Sequence, residues 1–240
     1  GPGMKYIPLV WAALWRKPVR LILTLLSVVI AFSLFGMMIG FKASFSHYAD
    51  TARGDRIYVN SRFFQGLPGA LRDQIARVPG VIHVTTAGVV GGYYQTPKNV
   101  AFAMMIDPDW RQVVPEFPVT PQQYGELAAN PTDAIITQTV ARRFRLKKGD
   151  VFPLKAPGVL RADGGQTWAF TILAVVNDIE SEPQGFMLGN LKYFNEARIA
   201  SKRDTGLSYR VIVNDASRGD AIAKLIDQTF ANSGTPTRSI

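Results

Sequence analysis

Residues 21–41 read LILTLLSVVIAFSLFGMMIGF, with no charge between Arg20 and Lys42. At about 1.5 Å of rise per residue, such a run spans the ~30 Å hydrocarbon core of a bilayer as a helix. No helical face is interrupted by charge, which argues against the core helix of a globular domain. The run also exceeds the apolar stretch of about 7–15 residues in a signal peptide, and no clear small-residue cleavage site precedes Lys42. The pattern predicts one uncleaved transmembrane helix over 19–45, with residues 42–53 able to continue it out of the membrane.

The remaining chain alternates between periods of two and of 3.6 residues. RIYVN at 56–60 reads as a strand. Leu67-Pro68 opens a helix whose Leu71, Ile75 and Val78 share a face, and Pro79-Gly80 ends it. Strands follow at 81–86 and 99–107, separated by a bend at the glycines of 88–92. Residues 107–132 are rich in Pro and polar side chains and predict irregular chain with short helical pieces. A short strand at 134–136, a helix at 137–144, and strands at 151–154 and 168–176 come next, the last two flanking a glycine-containing loop. The end of the chain returns to mixed elements. These are a strand at 185–188, a helix at 191–200, a strand at 209–213, and a helix with Ile222, Leu225, Ile226 and Phe230 on one face. Ser217-x-x-Asp220 resembles a capping start for that helix, and the residues after Pro236 read as a polar tail. The expected fold class is α+β: an N-terminal transmembrane helix, then an external α+β domain into which a small β-rich subdomain is inserted.

Ahead of the span, YIPLVWAALW at 6–15 places Val10, Trp11, Leu14 and Trp15 at helical spacing, followed by Arg16, Lys17 and Pro18. This predicts a short interfacial helix over 4–18, with Trp11, Trp15, Arg16, Lys17 and Arg20 at the membrane interface. Gly1-Pro2-Gly3 ahead of Met4 reads as a cleavage and cloning remnant. Within the span, Gly36 and Gly40 form a G-x-x-x-G pair, the spacing that lets a second helix approach closely.

Charge orients the chain. Of its 27 basic residues, five precede Asp50, with no acidic residue among them. The positive-inside rule then places the N-terminus in the cytoplasm and the large domain outside it. That leaves 22 basic against 18 acidic residues, a modest excess with no basic stripe interleaved with aromatics, so nucleic acid is not an expected partner. The chain has no cysteine, which removes disulfides, thiolate metal sites and a cysteine nucleophile. Its two histidines, His47 and His83, belong to no H-E-x-x-H motif. Neither a G-x-S-x-G elbow nor a phosphate-binding G-x-x-x-x-G-K-[ST] loop occurs. Asp107 and Asp109 flank Pro108 and make a poor metal pair. Asp178, Glu180 and Glu182 read as a solvated acidic loop. No catalytic residue, metal ligand or cofactor site is expected.

Three stretches then point to a family. WRKPVRLILTLLSVVIAFSLFGMMIGF (15–41), ITQTVARRFRLKKGDVFPL (136–154) and FTILAVVND (170–178) resemble, in order and spacing, the first part of a MacB/FtsX-type ABC transporter permease of the mechanotransmission class. Ala174 stands where that family commonly has Gly. The resemblance implies a Porter-like external subdomain, 46–108 with 180–240, and an inserted Sabre-like subdomain, 109–179. It implies a separate cytoplasmic ABC ATPase subunit as the enzyme, a second permease subunit, and a periplasmic adaptor or substrate-accepting protein. Export or extraction of a lipoprotein, peptide or drug across the inner membrane of a Gram-negative bacterium would be the function. The family carries three further spans after the external domain, so the resemblance also implies a truncated permease. The competing reading is a single-span anchored binding or sensor protein without an ATPase partner.

Overall fold

The computed structural model describes residues 17–50, 54–63 and 65–240. The chain divides into two units, 1–52 and 53–240.

In the first unit, α1 (Pro18–Asp50) is a continuous helix of 33 residues, about 50 Å long. Pro18 opens it, a position where the missing N–H costs nothing. Its apolar window, Pro18–Phe35, has a mean hydropathy of 2.2, and none of it is buried in the protein. Two hydroxyls in the window are satisfied by the helix itself: Thr24 Oγ1 donates to the Arg20 carbonyl at 2.9 Å and Ser27 Oγ to the Thr24 carbonyl at 2.8 Å. This is how a polar side chain tolerates hydrocarbon. The helix continues past Lys42, as the sequence pattern allowed.

In chain order the second unit contains β1 (Arg56–Ser61), α2 (Leu71–Ala76), β2 (Val81–Tyr94), β3 (Val100–Ile106), α3 (Trp110–Val113), α4 (Pro121–Ala129), β4 (Asp133–Thr137) and α5 (Gln138–Phe144). It continues with β5 (Val151–Lys155), β6 (Thr167–Val176), β7 (Met187–Asn190), α6 (Leu191–Ala197), β8 (Leu207–Val213), α7 (Gly219–Phe230) and β9 (Thr237–Ser239).

Pairing sorts these strands into two lobes. Strands β2, β8, β1 and β9 lie side by side, each neighbour antiparallel. With α2 after β1 and α7 after β8, this is two interlocked split β-α-β units, the ferredoxin-like arrangement. Both helices cover one face. Leu71 and Ile75 of α2, and Ile222, Ile226 and Phe230 of α7, pack on Ile57, Val59, Val84, Tyr209, Val211 and Val213. The second lobe is a closed ring: β2 pairs with β3, β3 with β7, β7 with β4, β4 with β6, β6 with β5, and β5 with β2 again. Closure removes every strand edge from this six-stranded barrel. Its interior is filled by Val90, Ala103, Met105, Ile136, Phe152, Leu154, Trp168, Phe170, Ile172 and Met187. Residues 109–179 supply β4, β5 and β6 to the ring, while β2, β3 and β7 come from outside that range.

Three local expectations change. The glycines at 88–92 do not bend the chain; β2 runs through them unbroken. They serve close approach instead. A Cβ on Gly92 would stand 2.2 Å from the Lys155 carbonyl oxygen, where β2 and β5 close the ring, and the Phe102 ring lies over Gly91. The polar tail becomes β9, an edge strand tied to α7 by Asp227, which accepts from the hydroxyls of Thr237 and Ser239 and from the Ser239 amide at 2.8–3.0 Å. Finally, α7 begins without a side-chain cap. Asp215 caps the preceding turn by accepting from the Ser217 amide at 2.9 Å, which draws the Ser217 hydroxyl onto Asp215 as well.

Candidate functional site

The face of the ferredoxin-like sheet that α2 and α7 leave uncovered carries charge. Alternation puts Ile57 and Val59 into the helix-covered core, so Arg56 and Tyr58 point the other way, as does Arg210 opposite Tyr58 on β8. Residues 107–117, including α3, lie across this face. Arg56 is buried, and its Nη1 and Nη2 donate to both carboxylate oxygens of Glu116 at 2.5 and 2.8 Å. This two-pronged geometry is the strongest that an arginine makes. Burial pulls the Arg56 pKa down, but Glu116 and Tyr58 outweigh it and the net shift is upward. The Arg210 guanidinium lies 4.4 Å from the centre of the Trp110 ring and 5.2 Å from that of Tyr58, two cation–π contacts. Burial lowers the Arg210 pKa, while Tyr58 and Glu182 oppose the shift. Glu182 therefore does not sit on a freely solvated loop: burial raises its carboxyl above the ordinary range, and Arg210 only partly restores it. Tyr124, on α4, has its hydroxyl pushed up to about 12 by burial. The cluster clasps β1 and β8 to α3 and the loop before β7. It contains no nucleophile–base pair, so its chemistry is that of a structural clasp.

Beside it lies a groove of about 610 Å³ lined by residues from α2, β2, the turn after β3, α6 and the approach to β8. Asp107 and Asp109 line it and are engaged by protein groups. Asp107 accepts from the Thr85 hydroxyl, from the Thr86 amide at 2.7 Å and from the Asp109 amide at 3.1 Å. Arg72 pairs with Asp109 and donates to the Val84 carbonyl at 3.1 Å. Burial raises the Asp107 pKa, against the pull of its hydrogen bonds and Arg72. Across the groove, Asp204 has the left-handed φ of 52° and accepts from Asn195 Nδ2 at 2.9 Å. The two walls are pinned by reciprocal backbone bonds between Leu67 and Leu207, at 2.7 and 2.9 Å. Gly66 and Gly206 make this crossing possible: a Cβ on Gly66 would stand 2.3 Å from the Gly206 Cα.

The residues singled out from sequence lie apart from this junction in the chain. Lys17 and Arg20 are exposed at the start of α1. Gly36 and Gly40 fall within α1, where only the backbone is described, and Trp11, Trp15 and Arg16 lie outside the described residues. Sequence reasoning missed Arg56, Glu116 and Arg210, and read Glu182 as part of a solvated loop. The available signal was an arginine on the second face of two alternating strands, RIYVN and LSYRVIV.

The MacB-like periplasmic core domain family matches residues 21–229, from within α1 almost to the end of α7. The chain belongs to this family. As a MacB-like permease of the ABC transporter class, it combines an N-terminal apolar helix with the mixed α+β fold described above. The extracellular domain of the noncanonic ABC-type transporter YknZ from Gram-positive bacteria superposes with a TM-score of 0.53, at 12% identity, over 77% of this chain and 99% of that one. The periplasmic region of MacB from Actinobacillus actinomycetemcomitans gives a TM-score of 0.49 at 11% identity, over 81% and 93%. No curated protein sequence matches significantly.

Proposed function

We propose that this MacB-like chain is the permease subunit of an ABC transporter in which a separate cytoplasmic ATPase drives shape changes of the external unit. Those changes would export or extract a substrate such as a lipoprotein, peptide or drug. The observation that carries this reading is the extent of the family match, which takes in both the apolar helix and the folded unit. The chain itself would hydrolyse nothing. Lys17 and Arg20, with Trp11, Trp15 and Arg16, would mark the cytoplasmic interface near the ATPase, with the folded unit on the periplasmic side of an inner membrane. Gly36 and Gly40 would pack against spans of a second permease subunit. The division into a Porter-like part (46–108, 180–240) and a Sabre-like part (109–179) belongs to the same reading.

Chain connectivity supports a route for motion. Only five residues separate the end of α1 from β1, and the first residue of β1 is Arg56. A displacement entering β1 reaches Glu116, and through it the chain lying across the sheet, by way of one ion pair.

The test is purification of the native gene product from its own membranes. Co-purification of an ABC ATPase, with ATP turnover that loses its substrate dependence in Arg56→Ala, is expected. A native product no heavier than 26.4 kDa, purified with no ATPase, overturns the proposal. It would favour the anchored binding protein, a reading supported by the single apolar helix among the described residues together with the groove.

A further inference from the structure

The outward wall of the barrel formed by β3, β2, β5 and β6 is largely apolar, and lysines outnumber carboxylates around it. Outward positions on β2 and β3 begin under cover: Ala87 and Ile106 are buried beneath α3. The same stripe then continues uncovered through Val89 (56% exposed), Phe102 (62%) and Val100 (44%), beside the half-exposed Gly91 and Tyr93. On β5 the outward positions are Val151 (58% exposed), Pro153 and Lys155, and on β6 Thr167, Ala169 and Thr171. None of these carries a carboxylate. The charges on and around the wall are Lys155, whose ammonium stands 5.9 Å from the centre of the Tyr93 ring, Lys98 in the β2–β3 hairpin, Lys147 and Lys148 ahead of β5, and two carboxylates at the Val151–Thr171 end, Asp150 beside Val151 and Asp133, which pairs with Thr171. Among the described residues none of these four lysines forms an ion pair. Asp150 accepts from the Lys147 amide at 2.9 Å and keeps its negative charge, so the lysine excess is greatest on the β2–β3 side, at Lys98 and Lys155.

We propose that this wall docks a protein partner whose contact surface is apolar and edged with aspartate or glutamate. Three observations select that occupant. A second copy of this chain meeting the wall symmetrically would set lysines against lysines, which opposes association. A lipid surface is usually gripped by projecting aromatic and leucine side chains, whereas here the apolar groups are short and the Phe102 ring is laid down over Gly91, 3.1 Å from where a Cβ would stand. Strand spacing gives the apolar strip an area of roughly 200–300 Å². That is smaller than the ~800 Å² per partner of a standard stable interface, so the lysine rim must contribute steering and the contact is reversible. The inference deepens the transporter reading by naming the chemistry of an external partner, and rests on it only for the compartment.

The experiment places a photo-crosslinking p-benzoylphenylalanine at Phe102 in the full chain in its native membranes, with a control at exposed Lys224 on α7. The expected result is a discrete adduct from position 102, absent from 224, to a second polypeptide through a peptide rich in Asp and Glu. Lys98→Glu with Lys155→Glu should lower its yield about tenfold, as should 0.5 M salt. Thermal unfolding of each variant checks the fold. An adduct to phospholipid or to a second copy, a yield indifferent to charge reversal, or no adduct overturns the proposal. ATPase co-capture scored in the same sample keeps the fate of the transporter reading separate.

Discussion

The two lobes share β2 but stabilise it in opposite ways. In the barrel, β2 faces a dry interior. Tyr94 stacks on Phe152 at 4.8 Å and Trp168 packs on Phe194 at 5.1 Å, and the ionisable side chains that reach this core do so at its margin: Tyr94, Tyr193, and the buried Arg198, whose guanidinium lies 4.5 Å from the centre of the Phe194 ring. In the ferredoxin-like lobe one face is equally dry, but the other holds Arg56, Arg210, Glu116 and Glu182 between the sheet and its cover. Apolar packing is non-directional and dense, so the barrel resists deformation as a body. An ion-pair and cation–π clasp depends on geometry and can break and re-form at a few points. If the unit changes shape, the charged face is therefore where it yields.

The largest expected effect tests whether the lobes are energetically one. Trp168→Ala in the barrel should cost about 3–5 kcal/mol, and Ile226→Ala in the other lobe about 2–5 kcal/mol. Because β2 runs through both, each variant should still unfold in a single transition of the soluble unit by calorimetry. Two resolved transitions would mean that the lobes fold independently. Next comes the clasp. Arg56→Ala leaves Glu116, whose side chain is 40% exposed and can rehydrate. The cost should therefore be about 1–3 kcal/mol, below that of a fully buried pair. Arg56→Met with Glu116→Leu should recover most of it. Hydrogen exchange over 107–117 should rise in the single variant and return in the double; unchanged exchange would sink the idea that the clasp holds this segment.

The smallest effect is a pH slope. Burial raises the folded-state pKa of Glu182 above its unfolded value of about 4.3. The folded chain therefore takes up this proton first. The stability Glu182 contributes is fully present below about pH 4.3 and is lost as pH rises through its folded pKa. Glu182→Gln should flatten stability against pH in that window, and an unchanged slope would assign it to other groups, Asp107 among them.

Much of this fold was legible because period and composition report burial directly. The uncharged run became α1. RIYVN, WAFTILAVV and the Ile222–Ile226–Phe230 face each became the predicted element, since each keeps one apolar side at the period of its element. The glycines at 88–92 misled because glycine signals either a turn or a close approach, and only the partner strand decides which. TRS at 237–239 has no strand pattern of its own and is a strand because β1 and Asp227 hold it. The charged junction was hidden for a similar reason. Arg56 and Glu116 are 60 residues apart, and neither has a local sign of the other.

By itself, then, the sequence determined what local physics controls: an apolar run long enough for a bilayer, the basic residues that flank it, the class of elements after it, and the want of any familiar catalytic motif. The tertiary structure decided what depends on distant partners. Closure of the barrel through β2 and β5, the conversion of two arginines from strand-face polarity into a clasp, and the exposure of one lysine-rimmed wall all arise from contacts between segments far apart in the chain. No periodicity encodes such contacts, because a residue's neighbours across a sheet are set by register and topology rather than by its own surroundings in sequence.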